Sequence, residues 1–177
     1  MVAKFINSIL LVFIMSASIG ACVAKGPGSL GADAHALTLN KFEIAKMQLE
    51  EKIEKCRKGK VTIPKEVFEG LNLTDKEWKV ALFVLGDKAE DACEAGKRGA
   101  FVVAASVYRA TSRHYHREPV AAISYSEDKL FGHYWKKMES EVDYLKIPKE
   151  KRNRLELIPQ IQKPFHLFET LTELGIN

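Results

Sequence analysis

No stretch of this sequence alternates apolar and polar residues long enough to make a half-buried strand, and no segment repeats, so the pattern argues against a sheet or a repeat array. Charge of one sign is scarce too. Lys and Arg number 27 against 23 Asp and Glu, a net +4, whereas a dedicated nucleic-acid binder carries a denser basic stripe. There is no G-x-S-x-G, no H-E-x-x-H, no Walker-type Gly-Lys loop and no C-x-x-C-H. Their absence argues against the familiar hydrolase, metalloprotease, nucleotide and haem chemistries, though not against a new active site. What remains is a globular composition, 46% hydrophobic and 28% charged, long enough for one domain with a real core.

Cysteine is rare, with three in the chain, and the first stands apart. Lys4 precedes the apolar run "FINSILLVFIM", and small residues lead into "SIGAC" at 18–22, the order of an export signal. Counted to Ala24 the run is about long enough to span a bilayer. Asn7, Ser8, Ser16 and Ser18 interrupt it and Gly20 lies near its end, which favours cleavage over a retained anchor helix. Ile19-Gly20-Ala21-Cys22 resembles the bacterial lipobox, an aliphatic and two small residues before a cysteine. The resemblance implies lipid attachment at the Cys22 thiol and cleavage before it; ordinary cleavage nearby, for instance after Ala24, would discard Cys22. Val23 follows where an Asp is absent, which in proteobacterial lipoproteins resembles sorting to the outer membrane, facing the periplasm. The expected organisation is a signal peptide over 1–21, a lipidated cysteine and flexible tether over 22–38, and a helical domain over 39–177. The Gly- and Ala-rich residues 23–36 carry the tether reading.

Ordered structure is expected from Asn40, which with Glu43 resembles a capping box. Phe42, Ala45, Leu49, Ile53 and Cys56 share one helical face, and Gly59 ends that helix. Pro64 and Gly70 bracket a short helix. Thr74 and Glu77 form a T-x-x-E capping box. Trp78, Leu82, Leu85, Ala89 and Cys93 make the next stripe, and Gly96 and Gly99 are positions where the helix bends or breaks. An apolar, centrally buried helix should then run until Pro119. Residues 119–125 are ambiguous between helix, loop and an extended piece. Phe131, Tyr134, Met138, Val142 and Leu145 form one face of a further helix. Pro148 opens a short basic one, and Phe165, Phe168, Leu171 and Leu174 mark the last. The fold class is all-α: a single-domain bundle of about five to six helices with one disulfide. Once Cys22 is assigned to the leader, Cys56 and Cys93 remain, both on core-facing stripes; in an oxidising compartment they are expected to pair, the alternative being two buried free thiols.

"YRATSRHYHREP" is the most unusual stretch. Arg109, Arg113 and Arg117 recur every four residues, a spacing that stacks them on one helical face where like charges repel. An anion is expected opposite, either a partner's carboxylates, lipid phosphates or a glycan acid, or glutamates of the protein's own helices. His116 belongs to the same polar surface. His114 and His116 point in nearly opposite directions and cannot share an ion. His114, Glu118 and His133 are the one set that a metal-dependent enzyme or periplasm-facing hydrolase would use. No metal or cofactor is expected. Trp78 and Trp135 read as core, and Tyr108 and Tyr115, seven apart, as packing. "KIPKEKRNR" at 146–154 reads as a solvated face or one drawn to anionic lipid.

The reading is an exported, lipid-anchored envelope protein that acts by binding a protein partner or an anionic envelope component, not nucleic acid. In lipobox, size, helicity and a disulfide it resembles the small helical pilotin lipoproteins of secretion systems. That resemblance assigns no residue a role; the expected mechanism is capture of a partner segment in a groove between helices, with the arginine face orienting an acidic stretch. An immunity or inhibitor lipoprotein has the same outline.

Overall fold

The computed structural model describes residues 27–120, 123 and 134–176; the leader, Cys22, Phe131, His133 and most of the ambiguous 119–125 segment lie outside the described residues. Among the described residues five α-helices follow in order: α1 (Pro27–Lys58), α2 (Asp75–His114), α3 (Tyr134–Leu145), α4 (Lys149–Glu156) and α5 (Leu167–Glu173), with a 3-10 turn over Lys65–Phe68. Among the described residues the β-structure is a single isolated bridge, Val61 with Phe165. The all-α fold with a Cys56–Cys93 disulfide, Cα atoms 6.2 Å apart, is as the sequence predicts.

Local signals explain where the elements start and stop. Thr74 caps α2: its hydroxyl accepts from the Glu77 N–H at 3.3 Å, while the Thr74 N–H donates to Glu77 Oε2 at 2.8 Å. That second bond holds the Glu77 carboxyl below its usual range. Pro64 precedes the 3-10 turn, and Gly70, at φ +73°, follows it in a conformation that glycine adopts without strain.

Two helix bounds depart from expectation. α1 begins at Pro27, so 27–38 is helix and not tether, and Asn40 is an exposed mid-helix residue and not a cap. The reason is tertiary. Gly31 lies against the Tyr115 ring, where a Cβ would stand 2.8 Å from Cδ1. His35 and Phe42 continue the contact onto the Tyr108 ring, with centroids 5.2 and 5.6 Å away. α2, likewise, passes unbroken through Gly96 and Gly99. Each glycine costs about 1 kcal/mol relative to alanine, and buried Ala89 and Phe101 on either side hold the helix in register.

At 40 residues α2 is about 60 Å long, and it serves two separate cores. The larger gathers its first third, including Trp78, Leu82 and Leu85, with Ile63, Leu155 and Phe165. The smaller joins Phe101, Ala105 and Tyr108 to Phe42 and Leu49 of α1 and to Ile123. The α1 stripe thus faces the core as expected, with Cys56 buried at its end. Between Ala89 and Phe101 the one buried residue of α2 is Glu94, paired with Arg98. The disulfide crosses at this polar waist, beside the Lys60–Glu90 ion pair.

The C-terminal segment closes the larger core. The His166 N–H donates to Val61 O at 2.9 Å, and the Ile63 N–H to the buried Thr170 hydroxyl at 3.2 Å. Phe165 packs on Gly86, where a Cβ would stand 3.2 Å from its ring. The basic cluster at 146–154 is occupied within this fold. Arg154 donates to Gly70 O at 2.9 Å, Arg152 Nε to Ile147 O at 3.0 Å, and Lys151 to Asn72 O. These three cations hydrogen-bond turn carbonyls, while Lys146, Lys149 and Arg154 remain exposed.

In the chain-entropy description, closing a loop with the 37-residue separation of Cys56 and Cys93 stabilises by about 4 kcal/mol. Replacing both cysteines by serine is therefore expected to lower the urea-unfolding free energy by about that amount. A loss below ~1 kcal/mol would contradict the structural role.

Candidate functional site

Two surfaces stand out, at opposite ends of α2. The first is a groove where α2, α3 and α5 meet. Val80 and Phe83 of α2, Leu167, Phe168 and Leu171 of α5, and Ile176 line a concavity of about 700 Å³. Its polar contributions are the side chains of Lys79, Ser140 and Thr172. Phe168, 78% exposed, is the most open large apolar residue at its edge. The groove arises from the local sequence: the turn at 163–166 pins α5 through Phe165, buried beneath Gly86. Phe168, three residues on, is then left on the solvent side.

α3 adds a second apolar surface and corrects an expectation. Tyr134, Trp135, Met138, Val142 and Leu145 all face solvent, Trp135 being 74% exposed. The opposite side of the helix makes the contacts. Lys137 pairs with Asp87 of α2. Tyr144 is buried beneath Arg152 and Lys88, and its hydroxyl donates to Glu156 at 2.9 Å. Burial and that carboxylate push the Tyr144 phenol above its usual range. So Trp78 is core, as expected, while Trp135 is not.

The second surface is the far end of α2. The helix stops at His114, and Tyr115 caps it. His116 takes φ +51°; its N–H donates to Arg113 O at 3.3 Å and that of Arg117 to Ser112 O at 2.8 Å. This is a Schellman turn with histidine where glycine is usual. Arg109 and Arg113 therefore share a helical face, but Arg117 lies beyond the turn and does not continue it. Arg109 is half-buried and engaged. Arg113, His114, His116 and Arg117 are exposed, and among the described residues neither Arg113 nor Arg117 has an ion pair. The same stop undoes the helical spacing of His114 with Glu118, and His133 lies outside the described residues. Among those residues no three His, Cys, Asp or Glu side chains gather at metal-binding distance.

Phe83 and Arg113 are 30 residues apart on one helix, about 45 Å. A segment lying in this groove would reach the arginines only by extending that distance along α2. The groove itself was hidden in the sequence. Phe168 reads as core by spacing, and Phe83 lies off the α2 stripe. Comparison with protein-family models, with curated proteins and with solved structures finds no match to this chain.

A non-glycine residue at positive φ stores strain, here at the tip of the hairpin. His116→Gly is expected to raise unfolding free energy by about 1 kcal/mol and His116→Val to lower it, measured by urea unfolding. No gain with glycine would contradict the strained turn.

Proposed function

We propose that this protein is an exported, lipid-anchored binding module of the bacterial envelope, facing the periplasm from the outer membrane, which takes an amphipathic helix of a protein partner into the α2–α3–α5 groove. The observation that carries the reading is the groove itself: a concavity with six apolar side chains in its lining and an exposed phenylalanine at its edge. Grooves of this kind receive helices through apolar residues at i, i+3 or i+4, and i+7. The lipobox-like leader supports the compartment, and the disulfide is compatible with an oxidising one. Among the described residues no helix is long and apolar enough to cross a membrane, and the anchor in this reading is the acyl group on Cys22.

Buried aromatic anchors dominate such interfaces, often at 2 kcal/mol or more each. Phe168→Asp is expected to weaken partner binding roughly 30-fold or more with little change in melting temperature, since the side chain is exposed. A photo-crosslinking residue at position 168, used in native envelopes, should trap a peptide with apolar residues at helical spacing. One placed at the exposed Glu43 should not. Unchanged binding by Phe168→Asp, or equal crosslinking from both positions, would overturn the groove as the binding site.

A further inference from the structure

The hairpin of α1 and α2 brings together two features that are far apart in sequence. α1 runs antiparallel to α2, from the Gly31–Tyr115 contact at one end to the Cys56–Cys93 disulfide at the other. The first turn of α1 therefore lies beside the last turn of α2, which carries Arg113 and His114 and leads into His116 and Arg117. Cys22 precedes Pro27 by five residues, and five residues extend at most about 18 Å. If Cys22 holds an acyl anchor, this tip cannot be far from the bilayer surface. The opposite end of α2, with the groove, stands about 45 Å away along the helix.

The chemistry of the tip fits that location. Arg113 and Arg117 are exposed and, among the described residues, unpaired by any carboxylate. Asp33, on the adjoining turns of α1, and Arg109, one turn lower on α2, are each already engaged. Glu118 is the exposed acid nearest in sequence, against two arginines and two histidines. The turn fixes the Arg117 backbone through its N–H bond to Ser112 O, so both exposed arginines stand at the same end of the hairpin. Guanidinium forks bind phosphate oxygens in pairs and do so better than ammonium groups.

We infer that the tip formed by Arg113 and Arg117 is a binding site for the headgroup phosphates of anionic phospholipids in the leaflet that holds the Cys22 acyl chains. It stands the hairpin away from the bilayer and presents the groove at its far end. The inference rests on the reading of Cys22 as the lipidated residue. Each basic side chain near an anionic surface contributes about fivefold in affinity, so the pair contributes roughly 30-fold.

The test uses the full mature protein, purified with its native N-terminus and reconstituted into vesicles. Hydrogen exchange of the amides at 113–118 should be slower in phosphatidylethanolamine–phosphatidylglycerol vesicles than in phosphatidylcholine vesicles. The difference should vanish in high salt and fall by ~30-fold in the Arg113→Gln, Arg117→Gln variant, while α5 exchanges alike throughout. The Arg113→Lys, Arg117→Lys variant should keep part of the effect, which separates charge from folding. Equal exchange in both vesicles would overturn the site, as would protection appearing on α3 instead. So would the same protection from inorganic phosphate without vesicles. The intact mass of the same sample reads the anchor separately: a chain lacking acyl mass at Cys22 overturns the anchor and this orientation. Acyl mass with equal exchange overturns the arginine site alone.

Discussion

The Cys56–Cys93 disulfide is the interaction on which the architecture depends, because it crosses the chain where apolar packing is thinnest. α2 is buried in its first third and again beyond Phe101, and between them lies an eleven-residue polar waist with Glu94 as its one buried residue. α1 contributes no residue to the larger core; besides the disulfide-bonded Cys56, its buried side chains, Phe42 and Leu49, belong to the smaller one. Among the described residues the larger core has fifteen buried residues and the smaller six, so of the two the smaller leans more heavily on the crosslink. Around the disulfide the Lys97–Gln48 hydrogen bond joins α2 to α1, and Lys60, two residues beyond α1, pairs with Glu90 of α2. Such exposed or half-exposed contacts contribute little individually, which leaves the covalent bond as the main tie.

This division explains why one molecule carries two unlike surfaces. The larger core takes Ile63, Phe68 and Leu71 from the 61–73 connection, and α2, α3 and α5 leave a groove where they meet. Among the described residues the smaller core is built from α1, α2 and Ile123, and α2 ends beside it with arginine and histidine exposed. Stability and presentation come from the same feature. A long shared helix separates the ends by tens of ångströms, and the disulfide keeps that separation fixed.

Much of this was legible in the sequence wherever the signal was local. Pro64 with Gly70, and Thr74 with Glu77, mark their elements because each satisfies or removes a particular backbone group. The pairing of Cys56 with Cys93 follows from two core-facing stripes. The start of α1 was not legible, since Gly31 is helical through its contact with Tyr115, 84 positions later. Nor was the continuity of α2 through Gly96 and Gly99, where packing outweighs propensity. The apolar face of α3 shows the limit most clearly. Periodicity identifies a stripe but not its direction, and Tyr144, Lys137 and their partners turn Trp135 and Met138 toward solvent. By spacing the three arginines share one helical face, because nothing local announces that His116 takes a left-handed conformation and ends the helix.

Native-state hydrogen exchange in the oxidised protein and in the form with both cysteines replaced tests the coupling of the two cores most directly. The account predicts that loss of the disulfide strips protection mainly from Phe101, Ala105 and Tyr108, with Ala81, Leu82 and Leu85 retaining most of theirs. Equal loss in both groups, or no loss in the first, would contradict it.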